Sequence, residues 1–155
     1  MIEMFQAIFR SFVYAFCGLF RTVREERNFR IHLVAVVLVS WFAFLYEVSA
    51  GQAVALVILY ALVLSLELIN TAVENAVDLA SKGERSESAK RAKDSAAASV
   101  LVSAIGSVIV AVILFRDPVH WALVGEKMQS PVRIAILILF IILALFFVRG
   151  KKVQK

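Results

Sequence analysis

Polar and apolar positions divide this chain into long greasy runs separated by short charged segments. Four apolar runs stand out, Ile31–Tyr46, Ala53–Leu66, Ala96–Phe115 and Val132–Val148. The first two fall short of the roughly 20 residues that cross a bilayer as a helix. Extended back through Asn28 and on through Asn70, both become long enough, at the cost of placing polar groups at the membrane edge. Ahead of them, Phe5, Ile8, Phe9, Phe12, Phe16, Leu19, Phe20 and Val23 recur at helical spacing, while Arg10, Cys17, Arg21 and Arg24 fall toward the other side. That pattern predicts an amphipathic helix lying in the membrane interface.

Composition supports lipid as the solvent. Hydrophobic residues make up 61% of the 155 and mean hydropathy is +0.85, more apolar surface than so short a soluble chain can hide. The single cysteine, Cys17, excludes an internal disulfide. No run has the short apolar stretch and small-residue site of a cleaved signal peptide. The net charge of +5 could suggest nucleic acid, but the placement of the bases points elsewhere. Arginines crowd the N-terminal segment, Lys82, Arg85, Lys90, Arg91 and Lys93 follow the second run, and Arg149, Lys151, Lys152 and Lys155 follow the last. The connections at Glu47–Gln52 and Arg116–Ser130 are poor in bases. With four spans, every base-rich segment lies on one side, which the positive-inside rule makes cytoplasmic.

Within the second run, Glu67, Asn70, Glu74 and Asp78 follow at intervals of three, four and four, so a helix presents them on one face. Facing lipid, such a stripe would be penalised at each ionisable position, so it should face other helices or a polar cavity. A helix end surfacing into water accounts for Asp78 but not for Glu67, which has apolar flanks. In the third run Ser95, Ser99, Ser103, Ser107 and Ala111 form a small-residue seam suited to close helix packing. At its mouth, Lys90, Lys93 and Asp94 share a face; Glu25 and Glu26 precede the first span on the same side. Clustered carboxylates with an amide suit Mg²⁺ shared with a nucleotide's phosphates. A lysine can bind phosphate, and a carboxylate in a drier place can act as general base. The inventory fits phosphoryl transfer at a membrane surface, and proton-coupled transport also uses intramembrane acids. A non-catalytic helical scaffold would leave Glu67 and Glu74 unexplained. No P-loop, protein-kinase loop, H-E-x-x-H or cysteine cluster occurs. His32 and His120 read as polar anchors.

"ELINTAVENAVDL" (Glu67–Leu79) followed by "AKRAKDSAAASVL" (Ala89–Leu101) resembles the prokaryotic diacylglycerol kinase family. "EERNFRIHLVA" (Glu25–Ala35) is similar to the version in Gram-positive undecaprenol kinases. The resemblance, over Arg10 to Phe115, implies an all-α integral membrane lipid kinase of the bacterial cell membrane. It implies ATP and Mg²⁺, a homotrimer with sites at the cytoplasmic face, and no nucleic-acid partner. It makes Glu67 the catalytic base, Glu26 and Glu74 the metal ligands, and Asn70, Lys93 and Asp94 members of the ATP and phosphoryl-transfer site. It favours Lys93 over Lys90. The lipid implied is undecaprenol, with diacylglycerol as the alternative, since His32 replaces an acid of the proteobacterial enzymes. The chain then divides into an interfacial helix (1–27), a three-helix kinase core (28–115), an external connection (116–130), and a fourth span with a basic tail (131–155). The fourth span departs from the family's usual three.

Overall fold

The computed structural model describes residues 1–82, 84 and 86–150, apart from the side chain of Ile2. Arg85 of the basic loop and Lys151, Lys152 and Lys155 of the basic tail lie outside them. The described residues form α1 (Ile2–Glu25), α2 (Arg27–Tyr46), α3 (Ala50–Ala80), α4 (Glu87–Leu114), α5 (Pro118–Met128) and α6 (Pro131–Arg149), with no strand among them. Helices α2, α3, α4 and α6 are long and apolar enough to cross a membrane. On α1, Phe5, Phe9, Phe12, Phe16 and Phe20 are exposed, as expected of an amphipathic helix whose apolar side meets the bilayer. The protein is an all-helical integral membrane protein.

Local chemistry sets the corners. Glu26 is extended (φ −98°, ψ 116°) and serves both as the C-cap of α1 and the N-cap of α2, making an elbow. Between α2 and α3, Glu47 takes a left-handed conformation (φ 59°, ψ 51°) and ends α2. Two residues on, the Ser49 hydroxyl accepts from the Gln52 N–H, and the Gln52 side chain accepts from the Ser49 N–H at 2.8 Å. That reciprocal pair satisfies two orphan donors of the new helix.

Helices α3 and α4 form the most extensive helix pair. The serine seam of α4 accommodates this because its hydroxyls bond their own helix. Ser103 Oγ donates to the Val100 carbonyl and Ser107 Oγ to that of Ser103, each at 2.8 Å. No hydroxyl of that pair needs a lipid-inaccessible partner elsewhere, so small residues pack without a polar penalty.

The segment expected as a plain external connection contains α5, packed on the end of α2. It starts as a helix because the Asp117 carboxylate accepts from the Val119 N–H at 2.9 Å and Pro118 occupies the first turn. Val124 joins Leu45 and Tyr46 in the main buried cluster, covered by Trp41, Phe42, Val48, Phe115 and Met128. His120 stacks on the Tyr46 ring at 4.9 Å. The Tyr46 hydroxyl accepts from the Asp117 N–H at 2.8 Å and donates to the Asp117 carbonyl at 3.2 Å. Lys127 Nζ donates to the Leu45 carbonyl at 2.9 Å and to Glu47 Oε1 at 2.6 Å, closing the end of α2.

The hydrogen bond from Lys127, then its charge, holds the Glu47 carboxyl below its ordinary value. The Val119 N–H does the same for Asp117, helped by His120. Depressed carboxylate pKa values favour the docked state above the ordinary carboxylate range, and that contribution is lost as pH falls through the depressed values. In a Trp41→Phe background, Trp121 fluorescence should therefore stay constant from neutral pH and red-shift only below 4.5, the ordinary value for Glu47. Tyr46→Phe should move that transition to higher pH and cost about 1–2 kcal/mol in thermal unfolding. A wild-type transition near neutral pH would contradict this docking.

Candidate active site

At 1.5 Å per residue α3 is roughly 46 Å long, against roughly 30 Å of hydrocarbon. Its C-terminal turns therefore project from the apolar slab at the base-rich end of the bundle. The acidic stripe follows that emergence. Glu67 is 3% exposed and Asn70 7%, Glu74 is half-buried and Asp78 is exposed. Burial of Glu67 and Asn70 shows that this face of α3 is turned to protein, as the cost of a lipid-facing carboxylate requires.

The buried members form one group. Asn70 Nδ2 donates to Glu74 Oε1 at 3.0 Å, fixing the carboxylate one turn away. Among the described residues Asn70 Oδ1 is buried without a hydrogen-bond partner, an unmet acceptor of a kind rare in native interiors. Glu67 makes no ion pair among the described residues. The α1–α2 elbow sets Glu26 against the same helix, where it shares a cavity wall with Leu68, Thr71, Ala72 and Asn75. Glu67, Asn70 and Glu74 thus share one face of α3, and Glu26, from a separate stretch of sequence, lies against the same helix.

Lys93 and Asp94 sit farther out. The α4 helix begins where the Ser86 hydroxyl accepts from the Ala89 N–H, and its second turn faces the end of α3. Lys93 Nζ pairs with Asp78 Oδ1 at 2.5 Å across the two helices. Lys90, Lys93, Asp94 and Asp78, with Ser81, Glu84, Ser86 and Glu87, line an open cavity of about 740 Å³, within the range of roughly 300–1,000 Å³ of small-molecule sites. Lys90 and Lys93 both reach it, but only Lys93 is held by a carboxylate of α3. The sequence pattern marked Asp78 as part of the stripe, yet its role as the partner of Lys93 needed the fold. The pairing is 15 residues apart, beyond any local spacing rule.

Among the described residues no three acidic, histidine or cysteine side chains assemble into a metal cage. What is present is a set of hard oxygen donors, the Glu26 and Glu74 carboxylates and the unpartnered Asn70 amide oxygen. Mg²⁺ is commonly held by one or two carboxylates and completed by water and phosphate oxygens, so these donors fit an ion shared with a phosphorylated ligand. Deeper in the bundle, His32, Tyr60 and Ser107 are the polar members of an otherwise apolar cavity of about 210 Å³ between α2, α3 and α4. It contains no further carboxylate, so a chain of acids does not continue through it, as a proton path would want.

Residues 13–115 match the family model of prokaryotic diacylglycerol kinase. An undecaprenol kinase of Bacillus subtilis (strain 168) is 41% identical over 107 residues, covering 69% of this chain and 86% of that protein. A diacylglycerol kinase of Synechocystis sp. (strain ATCC 27184 / PCC 6803 / Kazusa) is 43% identical over 108 residues, covering 70% of this chain and 62% of that protein. The matched residues contain the buried group, the Lys93 cavity and the elbow; α5 and α6 lie beyond them.

A buried acid without an ion-pair partner is a poor stabiliser. Glu67→Gln, which keeps the shape and removes the charge, should leave thermal unfolding in detergent unchanged or raise its midpoint. A loss of more than about 2 kcal/mol would make Glu67 a structural group.

Proposed function

The chain belongs to the prokaryotic diacylglycerol kinase family and is a lipid kinase; we propose that it transfers the γ-phosphoryl group of ATP to the hydroxyl of undecaprenol. The lipid choice is supported by the relative named undecaprenol kinase, most of whose length this chain spans, and by His32 in place of the acid of proteobacterial enzymes. The observation that carries the reaction is Glu67, a carboxylate buried in a membrane-embedded helix on one face with Asn70 and the Glu74 it holds.

In this reading Glu67 accepts the proton of the lipid hydroxyl as that oxygen bonds to the γ-phosphorus. The bond from the γ-phosphorus to the bridging oxygen breaks, and its electrons leave on ADP. Glu67 is the deepest of the acidic stripe, so it lies where a lipid headgroup would meet the site. Glu26 and Glu74 would hold Mg²⁺, which when bound neutralises phosphate charge and aligns the γ-phosphoryl group. Asn70 orients Glu74. Lys93, steadied by Asp78, supplies a positive charge for the phosphates in the outer cavity, and Asp94 lines the same space. Phosphoryl transfer needs positioning and charge stabilisation more than covalent chemistry, and these residues offer both.

The base-rich end is taken as cytoplasmic, placing the site where ATP is present, in the bacterial cell membrane. The functional unit is proposed as a homotrimer. Residues 28–115 would be the kinase core, 1–27 its interfacial helix, 116–130 the external segment and 131–155 the added span with its tail. In a cysteine-free background, a probe at Glu47 or Gly125 should be labelled from outside sealed cells, and one at Gln154 should not. External labelling at Gln154 would invert the arrangement.

The reaction is tested with purified protein in mixed micelles, supplying labelled ATP with undecaprenol or diacylglycerol in parallel. Faster phosphorylation of undecaprenol is expected; preference for diacylglycerol would reassign the lipid. Glu67→Gln should lower kcat by about 10²–10⁴-fold with ATP binding kept. Lys93→Ala should instead weaken ATP binding. Glu26→Gln and Glu74→Gln should raise the Mg²⁺ requirement. Loss of ATP binding in Glu67→Gln equal to its loss of turnover would make Glu67 a ligand, not the base.

A further inference from the structure

Arg30 is 6% exposed, and no carboxylate pairs with it among the described residues. A buried guanidinium with no anion must find its compensation elsewhere. Its Nη1 donates to the Val23 carbonyl at 3.1 Å and the Arg24 carbonyl at 2.9 Å, both in the last turn of α1. Its Nη2 donates to the Val148 carbonyl at 3.4 Å, in the last turn of α6. These acceptors are among the carbonyls that a helix leaves unbonded, at the end where its dipole is negative. Two helix C-termini therefore share one cation.

Gly150 provides a second, independent mark of the same contact. Its φ of +42° is one that L side chains rarely adopt, and a Cβ there would lie 2.6 Å from Arg30 Nη2. That φ favours glycine, and a side chain there would also push the guanidinium aside. One turn before Arg30 stands Glu26. Its carbonyl accepts from the Arg30 N–H at 3.3 Å, and its own N–H donates to Thr22 at 2.8 Å. Whatever fixes Arg30 against α1 and α6 thus fixes the elbow on which Glu26 is mounted.

We propose that Arg30 clamps the C-terminal end of α6 to the α1–α2 elbow, so that the fourth span positions the Glu26 carboxylate. Arg30 is a positioning residue, acting through the elbow without touching substrate. The clamp stands on its own contacts; its consequence for metal binding rests on the proposed role of Glu26 as a metal ligand.

Two variants test it. Arg30→Lys keeps the charge but cannot fork between three carbonyls, and Gly150→Ala leaves Arg30 intact while obstructing the contact. In a Cys17→Ser background, nitroxide labels at positions 24 and 149 report the separation of the two helix ends in the full chain by pulsed electron–electron resonance. With labelled chain diluted into excess unlabelled chain, so that pairs between subunits are not seen, the wild type should give one narrow distance, and both variants a broader and longer one. The same variants should raise the Mg²⁺ concentration for half-maximal turnover by about tenfold, the scale of outer-shell losses at metal sites. Turnover at saturating Mg²⁺ should be kept, and Gly150→Ala should add nothing to Glu26→Gln. An unmoved label distance in both variants overturns the clamp. A moved distance with an unchanged Mg²⁺ requirement, where Glu26→Gln does raise it, overturns the positioning role. If Glu26→Gln leaves the requirement unchanged, the metal role of Glu26 fails and the positioning claim with it, while the label distance still decides the clamp.

Discussion

A carboxylate in a membrane-embedded helix cannot face lipid without a penalty on the order of 3 kcal/mol at mid-bilayer. That constraint fixes the rotation of α3 about its axis, and much of the structure follows. Turning Glu67 and Asn70 inward turns the opposite side of α3, with Val54, Ile58 and Ile69, outward to lipid. It requires neighbours close enough to cover the polar face, which the small residues of α4 permit. The elbow between α1 and α2 then sets Glu26 against the same helix. Because α3 outruns the hydrocarbon, its stripe passes from buried Glu67 to solvated Asp78 within about three turns. A lipid hydroxyl and a water-borne phosphate could meet along that gradient.

The added helices obey a different logic. Helix α6 has no buried residue, and in lipid an apolar flank gives little drive for one helix to seek another. A half-buried stripe of Leu137, Phe140 and Ala144 runs along α6, which packs on α2, and hydrogen bonds tie its two ends. At one end, α5 is bound to α2 through Tyr46 and Lys127, and Arg133 Nη1 donates to the Lys127 carbonyl at 2.7 Å just as α6 begins. At the other end Arg30 reaches Val148. A span that packs along one narrow stripe and is tethered at both ends leaves most of its surface to lipid.

The number of spans, the interfacial helix and the inward acidic stripe were legible from period and placement, because bilayer length and the cost of buried charge act on local sequence. The motif residues were legible through resemblance. Helix α5 was not, since its eleven residues are too short for a clear period; the Asp117–Pro118 start signal was present and could have flagged it. Arg30 counted only as one more base in the topology pattern, because its partner Val148 is 118 residues away. The same holds for Asp78 and Lys93. Long-range polar partners are chosen by the fold, and no spacing rule reaches them.

With Glu67 as general base, the phosphoryl group passes directly from nucleotide to lipid. A buried carboxylate could instead attack phosphorus itself and carry the group as an acyl phosphate. The two routes differ in the number of displacements at phosphorus. Stereochemical analysis of the lipid thiophosphate formed from isotopically chiral γ-thio-ATP separates them. Direct transfer predicts inversion of configuration at phosphorus. Retention would mean two displacements through a covalent enzyme intermediate, and would contradict the role of Glu67 as the base.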